Sequence, residues 1–230
     1  MGLNERQQQI LDLVEKKQRI SSASLAKKLY VSEMTVRRDL AKMEEEGYLK
    51  RYHGGALANS ADMEYVIEMR MHVNEKEKRE LARRAEVYLQ SNQTIFLPGS
   101  STCAYLLPSL KRFENIKVIT NSVQFMILLS NMHIRCILSG GEYLKKDKLL
   151  IGRDAENFLR QFNTDIAFLA CDGISDDGMV TVKDENTAAI VKIGFANSAK
   201  RIILADRSKL GAKYTYNICT RDEADEIIVI

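Results

Sequence analysis

Residues 31–40 read VSEMTVRRDL, and the first quarter of the chain is best interpreted outward from this stretch. Ser32 is a favoured N-cap residue, and Gly47 is a common residue just beyond the end of a helix. The apolar residues between them have the spacing of one face of a helix: Val36, Leu40 and Met43. The stretch therefore predicts a short amphipathic helix that carries two adjacent arginines, Arg37 and Arg38.

The segments on either side predict a small domain around this helix. Two more helical patterns precede it, one over residues 5–17 and one after the Ser21-Ser22 pair. Downstream, YLKRYHGGAL (48–57) alternates apolar or aromatic residues with basic ones and then reaches a Gly-Gly turn, as a β-hairpin does. Three short helices and a basic hairpin predict a winged helix-turn-helix over residues 1–57.

A helical wheel distinguishes the two arginines. At about 100° per residue, Arg38 points away from the apolar face, between Met34 and Lys42. Thr35 lies on one side of this outward direction and Arg37 on the other. We therefore predict that Arg38, Met34 and Thr35 contact the base edges of a nucleic acid, whereas Arg37 contacts a phosphate.

The charge distribution favours a polyanionic partner for this domain. Residues 1–56 contain 11 basic residues (Lys and Arg) against 8 acidic residues (Asp and Glu), whereas the remaining 174 residues contain 23 basic and 23 acidic residues. The alternative is an ordinary solvated helix face, which two arginines alone would favour. Glu44–Glu46 would repel a phosphate backbone, so the N-terminal half of the helix is expected to face the partner, with the basic hairpin on flanking phosphates or in a minor groove. The candidate residues are Ser32, Met34, Thr35, Arg37, Arg38, Lys42, Lys50, Arg51, His53, Gly54 and Gly55.

The rest of the chain has a different pattern. Residues 58–75 are predicted to form a connector. From residue 76 onward, near-continuous apolar strands alternate with helices, which predicts an α/β domain with a mainly parallel sheet over residues 76–230. The predicted strands are TIFL (94–97), KVIT (117–120), IRCIL (134–138), IAFLAC (166–171), RIILA (201–205) and EIIVI (226–230). The predicted helices cover 76–89, 102–110, 123–129, 154–162 and 186–198.

Several of these strands end in small hydroxyl residues or glycine. PGSST (98–102), TNS (120–122), SGG (139–141) and ACDG (170–173) each follow or close a predicted strand, at the edge where open parallel sheets bind ligands. Each loop alone would be an ordinary turn. Their shared position predicts a site for a phosphorylated, hydroxyl-rich small molecule. The Walker lysine and the full dinucleotide spacing are missing, so nucleotide binding is not supported.

Two sets of motifs resemble a known family. The helix S-x-x-T-V-R-R-D-L (32–40) and the wing R-x-H-G-G-A (51–56) resemble the N-terminal DNA-binding domain of the deoxyribonucleoside-repressor (DeoR) family of bacterial transcription regulators. IFLPGSST, VITNS, LSGGEY, IGRDAENFLRQF, DIAFLACDGI, GMVT and ADRSKLG resemble the family's effector domain, which is related in fold to sugar-phosphate isomerases and coenzyme A transferases.

The resemblance implies a function as well as a fold. The expected function is a repressor of a carbohydrate-utilisation operon that binds an operator in double-stranded DNA. A phosphorylated sugar or related metabolite is expected to control it, and a homodimer or homotetramer is expected. The effector-site residues implied by the resemblance are Gly99, Ser100, Ser101, Thr102, Thr120, Asn121, Ser122, Gly140, Gly141, Asp172, Gly173, Lys192 and Lys209.

The sequence also departs from the family pattern. The family usually has Asp two residues before the first glycine of the site, where this chain has Leu97. Thr187 and Ala188 replace the acidic residues that usually precede the helix lysine. An isomerase-like enzyme with a DNA-binding module is the alternative, with Asp172 or Glu185 as general base, but the missing carboxylates disfavour it. A protein-interaction role for the N-terminal domain is a further alternative.

Composition excludes several other classes of protein. No run approaches the roughly 18 apolar residues of a membrane span, and the N-terminus is polar. The four cysteines and three histidines are scattered, without the spacing of a metal site or a disulfide framework. We therefore expect a cytoplasmic protein with neither a metal nor a cofactor.

Overall fold

The computed structural model describes residues 3–17, 19–52, 54–58, 70–71 and 73–230. The chain forms two compact units, residues 1–73 and 74–230. Most of the predicted connector, residues 59–69 and 72, lies outside the described residues, as does His53. None of the helices in the described ranges is long and apolar enough to cross a membrane.

The first unit is the predicted winged helix-turn-helix. Its helices and strands follow in the order α1 (Glu5–Lys17), β1 (Arg19–Ser21), α2 (Ser22–Leu29), α3 (Glu33–Glu45), β2 (Leu49–Tyr52) and β3 (Gly55–Ala58). The strands form one antiparallel sheet in the order β1-β3-β2. The strand β1 was not predicted, because three residues are too few to show alternation.

Local sequence explains why these elements begin and end where they do. The Ser21 hydroxyl caps α2 by accepting from the Ser24 amide at 3.1 Å, and the Ser32 hydroxyl caps α3 by accepting from the Thr35 amide at 3.2 Å. The apolar faces of the three helices are buried with the sheet in one core that includes Ile10, Val14, Leu25, Val36, Leu40, Met43 and Leu49. Burial of these faces stabilises the three short helices, each of which would be only marginally stable in isolation.

The second unit contains a six-stranded parallel sheet in the order β14-β12-β9-β4-β5-β6. All six predicted strands are present, so the prediction of a mainly parallel α/β fold is confirmed. Their bounds are β4 (Thr94–Phe96), β5 (Lys117–Thr120), β6 (Arg135–Leu138), β9 (Thr164–Ala170), β12 (Ser198–Ala205) and β14 (Glu226–Val229). The helices of this unit are α4 (Glu75–Ala85), α5 (Val123–Asn131), α6 (Arg153–Leu159) and α7 (Glu185–Ala196).

Two of the predicted helices are present but are 3₁₀ helices in whole or in part. The segment after β4 is a 3₁₀ helix over Cys103–Arg112, not an α-helix. Pro108 lies in the middle of this segment and has no amide hydrogen for an α-helical bond, which explains the departure. The helix predicted over 76–89 ends as an α-helix at Ala85 and continues as a 3₁₀ turn over Glu86–Tyr88.

The unit also contains antiparallel strands that were not predicted. A hairpin, β7 (Glu142–Leu144) and β8 (Leu149–Ile151), follows the SGG loop. A small separate sheet contains β10 (Gly173–Ile174), β11 (Met179–Val182) and β13 (Tyr216–Thr220) in that order. The hairpin lies beside the predicted effector loops.

Candidate functional site

The exposed side of α3 has the arrangement that the wheel predicted. Val36, Leu40 and Met43 are buried, whereas Arg37 and Arg38 are exposed. The Met34 side chain is 72% exposed in the first turn of the helix. Thr35 is half-buried, and its hydroxyl is 2.9 Å from the Ser32 hydroxyl that caps the helix. Met34 and the two arginines are therefore accessible to a partner.

The two arginines differ in their intramolecular contacts. Arg37 lies 3.5 Å from the Glu33 carboxylate, one turn earlier on the same helix. Across the described residues, the Arg38 side chain forms no ion pair or hydrogen bond. Lys42, one turn further on, lies 3.8 Å from Glu46. A base-edge contact by Arg38 would therefore break no existing interaction of its guanidinium.

Asp39, which follows the arginines, points towards the interior of the unit, whereas the arginines point towards solvent. It is 7% exposed, and its carboxylate accepts from Nε of Arg6 at 2.6 Å and from Nη2 of Arg6 at 3.3 Å. The bond and the charge of Asp39 raise the pKa of Arg6. Asp39 thus fastens α3 to α1, a structural role that the sequence pattern did not reveal.

We predict that Asp39→Ala destabilises the first unit modestly. The free energy of unfolding should fall by about 1 kcal/mol, a value kept low because Arg6 is partly exposed and stays solvated. Urea denaturation followed by circular dichroism would measure the change. The matched control is Glu33→Gln, which weakens the exposed Arg37 pair and should change stability by less than about 0.5 kcal/mol. Equal effects of the two substitutions would contradict the assignment.

The acidic end of α3 fastens the wing. The Glu44 carboxylate accepts from the Arg51 backbone amide at 2.7 Å and lies 3.8 Å from Nε of Arg51. From the sequence, Glu44–Glu46 were predicted only to repel a phosphate backbone. The contact between Glu44 and Arg51 was not predicted. Of the predicted wing residues, Lys50 is exposed on β2 and Arg51 is committed in part to Glu44.

The two wing glycines are required by the backbone. Gly54 has φ +102°, a conformation that favours glycine. A Cβ on Gly55 would lie 2.2 Å from the Ile20 carbonyl oxygen, so a side chain does not fit there. The Gly54 carbonyl also accepts from the Ser22 amide at 2.7 Å, which connects the wing to the start of α2. These glycines shape the hairpin, whether or not they contact DNA.

In the second unit, the first two predicted effector loops meet at the carboxyl edge of the sheet. The Gly99 amide donates to Oδ1 of Asn121 at 3.0 Å, and the Ser100 hydroxyl accepts from the Cys103 amide at 3.0 Å. The Ser122 hydroxyl caps α5 by accepting from the Phe125 amide at 3.2 Å. Thr102 and Thr120 are buried behind these loops.

These loops line a small cavity of about 20 Å³. Its walls come from the two loops, from β8 and β9 and from α7: Pro98, Gly99, Ser100, Asn121, Leu149, Ala170, Thr187, Ile190 and Val191. None of these residues has a carboxylate. The polar side chains of this lining are the hydroxyls of Ser100 and Thr187 and the amide of Asn121.

A lysine that sequence reasoning missed reaches the same loops. Lys78 on α4 is 5% exposed, and its ammonium donates to the Ser101 hydroxyl at 3.2 Å. The segment EKEKRELARRA (75–85) looks like a solvated charged helix. However, Lys78 is three, four and seven residues before the buried Leu81, Ala82 and Ala85, so it occupies a core-facing position. That spacing is the signal that could have identified it.

The third loop forms the base of the β7–β8 hairpin. Gly141 has φ +113°, and a Cβ there would lie 2.4 Å from the Ile151 carbonyl oxygen. Gly140 is exposed beside it. Ser139 is buried, and its hydroxyl has no hydrogen-bond partner among the described residues. The loop thus carries a buried polar group with unused bonding capacity.

The hairpin itself covers the second loop. The Leu150 amide donates to the Asn121 carbonyl at 2.8 Å, and Nδ2 of Asn121 donates to the Leu150 carbonyl at 3.1 Å. Leu149 lies against Gly99, where an added Cβ would come within 2.2 Å of its side chain. Leu149 therefore occupies space directly above the PGSST loop.

The remaining predicted effector residues lie outside the cavity lining. Asp172 accepts from the Lys183 amide at 2.9 Å. Gly173, in β10, packs closely against the Ala212 carbonyl. Burial raises the pKa of the Cys171 thiol to about 12, and the positive charge of Lys209 lowers this pKa in part. Lys209 therefore lies near this part of the sheet edge. Lys192 is exposed on α7. Their roles in effector binding stay predictions.

Comparison with known proteins agrees with both halves of this description. Residues 6–62 match the family model of the DeoR-like helix-turn-helix domain, and residues 73–229 match that of the DeoR C terminal sensor domain. The chain belongs to the DeoR family. It is therefore a DNA-binding transcription regulator, as the TVRRDL helix and the wing predicted. The domain carrying the loop cavity is the DeoR sensor domain.

Individual DeoR-family relatives span nearly the whole chain. The HTH-type transcriptional regulator YulB of Bacillus subtilis is 33% identical over 99% of this chain and 89% of its own length. The glycerol-3-phosphate regulon repressor of Escherichia coli is 27% identical over 99% of this chain and 90% of its own length. Among solved structures, eIF2B delta of Chaetomium thermophilum has a TM-score of 0.51 and 16% identity, and the match covers 71% of this chain and 58% of that one. This likeness concerns the fold alone.

Proposed function

We propose that this DeoR-family regulator represses a carbohydrate-utilisation operon and that a phosphorylated sugar or polyol releases it from DNA. The observation that carries the proposal is the buried ammonium of Lys78, 3.2 Å from the Ser101 hydroxyl in the PGSST loop. Lysine binds phosphate as a compact point charge, and hydroxyls at a glycine-containing loop supply hydrogen bonds to it. The phosphate of the effector would then lie between Lys78 and Ser100–Thr102.

The rest of the effector would lie along the second and third loops. Ser139 offers a buried hydroxyl with unused bonding capacity. Nδ2 of Asn121 now donates to the Leu150 carbonyl and would become available when the hairpin moves. Both groups suit sugar or polyol hydroxyls. The Escherichia coli relative regulates a glycerol-3-phosphate regulon, which supports a phosphorylated polyhydroxyl compound as the class of effector. Leu97 and Thr187 replace carboxylates of the usual family pattern, which favours a different member of this class.

Effector binding requires the hairpin to move. Ligand pockets usually have volumes of roughly 300–1,000 Å³, whereas the cavity here measures about 20 Å³. Leu149 and the β7–β8 hairpin fill the space above the loops, so an effector must displace them. A ligand that binds only the opened form shifts the population towards it. The difference in effector affinity between the closed and the opened form is the physical basis on which an effector could change operator affinity.

Binding without turnover is the favoured mode. Isomerisation requires a general base near the substrate carbon. The cavity residues include no carboxylate, and Asp172 is engaged with the Lys183 amide. We further propose a homodimer or homotetramer, because helix-turn-helix repressors usually bind two operator half-sites symmetrically. Light scattering on the purified protein tests the oligomeric state.

A thermal-shift screen of phosphorylated sugars and polyols tests the proposal. A true effector should raise the melting temperature and weaken operator binding in fluorescence anisotropy, whereas its dephosphorylated form should do neither. Each hit should also be incubated with the protein and analysed for product. Chemical conversion of a hit would contradict the binding-only role. Stabilisation without any change in DNA affinity would contradict the role in control.

A further inference from the structure

Tyr30 occupies the turn between α2 and α3 in an unusual state. It caps the C-terminus of α2 with φ 54° and ψ 40°, in the left-handed region, and its amide donates to the Ala26 carbonyl. Its side chain is 95% exposed. Glycine or asparagine adopts this conformation with little strain, whereas a bulky side chain is disfavoured there. An almost fully exposed ring gains little packing energy in return, so neither the backbone nor packing explains a tyrosine.

The surroundings of Tyr30 suit a phosphate. It is two residues before Ser32, the N-cap of α3, and therefore stands beside the end of the helix that faces DNA. Lys27 and Lys28 are exposed in the last turn of α2, immediately before it. Met34 is exposed on the first turn of α3. A phenol hydroxyl can donate to a phosphodiester oxygen, and such contacts position a helix without reading sequence.

We propose that Tyr30 is a DNA-contacting residue whose hydroxyl donates to a backbone phosphate at the edge of the groove that α3 enters. The left-handed backbone presents the side chain to solvent, ready for the duplex. This inference rests on the DNA-binding function of the DeoR family and is independent of the effector. Strain retained at a site without a structural benefit is a recognised sign of function.

Two substitutions separate this role from a structural one. Tyr30→Gly removes both the strain and the side chain, so the midpoint of chemical unfolding should rise while duplex affinity falls roughly ten- to a hundredfold, the value of one hydrogen bond to a charged group. Tyr30→Phe keeps the ring and the strain but removes the hydroxyl. It should leave the unfolding midpoint unchanged and weaken binding by a similar factor.

Because a phosphate contact is independent of sequence, the probe is an arbitrary duplex of roughly 30 base pairs, titrated by fluorescence anisotropy over a range of salt. The hydroxyl carries no charge, so the salt dependence of binding should keep the wild-type slope in both variants. Tyr143→Phe, at an exposed tyrosine of the second unit, is the matched control and should bind as the wild type does. Wild-type affinity in either Tyr30 variant would overturn the proposal. If the wild type binds no duplex, DNA binding itself is overturned along with it.

Discussion

Lys78→Met should raise the concentration of phosphorylated effector needed for release roughly 100-fold while leaving operator binding intact. Methionine has nearly the same length as lysine, so the space beside Ser101 stays filled and only the ammonium is lost. Removing one partner from a buried, charge-assisted contact costs about 3 kcal/mol, which corresponds to roughly 100-fold weaker effector binding. Isothermal titration calorimetry would measure the affinity, and anisotropy with a labelled operator would measure the effector concentration needed for release.

The same helix provides a matched control. Lys76 is exposed two residues earlier, so Lys76→Met removes an equal charge from α4 without touching the loop. Effector affinity should stay at the wild-type value in this variant. Circular dichroism should give native spectra for both proteins, because methionine fills nearly the same volume as the lysine side chain. Release of Lys78→Met by the same effector concentration as the wild type would refute the phosphate-binding role of Lys78.

Features fixed by local sequence could be predicted, whereas features fixed by contacts between distant segments could not, as α3 and Lys78 illustrate. Helix α3 was predictable because its determinants are local: the Ser32 cap, the spacing of Val36, Leu40 and Met43, and Gly47 after its end. The parallel strands were predictable because burial on both faces leaves continuous apolar runs. Lys78 was missed because its burial depends on how α4 packs against a loop 23 residues further along the chain. Its spacing from Leu81, Ala82 and Ala85 places it on the inward face of α4, but no local pattern shows that its ammonium meets Ser101 there.

The hairpin was missed for a related reason. The strands β7 and β8 have only three residues each, which is too short for alternation to be recognised. Their position is fixed by two hydrogen bonds between Asn121 and Leu150, one of them from the Asn121 side chain, which join segments 29 residues apart. The sequence therefore indicated where effector loops would gather but not that Leu149 would close the space above them.

Arg38→Ala and Arg37→Ala should weaken DNA binding in different ways. Arg38 is exposed on the outward side of α3 and forms no ion pair with any described residue, so it is free for a base edge. Its loss should cost about 1–3 kcal/mol on the operator and relax specificity at one base position. Arg37, beside Glu33, should contact a phosphate. Its loss should weaken binding to all sequences and reduce the salt slope by about one ion.

Binding to a library of operator variants, repeated at several salt concentrations, separates the two effects. The charge lost is identical in the two proteins, so a purely electrostatic role for both arginines predicts the same salt slope and no change in base preference. The orientation of α3 predicts otherwise, because Val36 and Leu40 are anchored in the core and fix which arginine points into the groove. Lys42→Ala is a useful third variant, since its ammonium lies 3.8 Å from Glu46 and should contribute less than either arginine. Identical behaviour of the two arginine variants would mean that neither reads a base, and sequence recognition would then have to come from Met34, Thr35 or the wing.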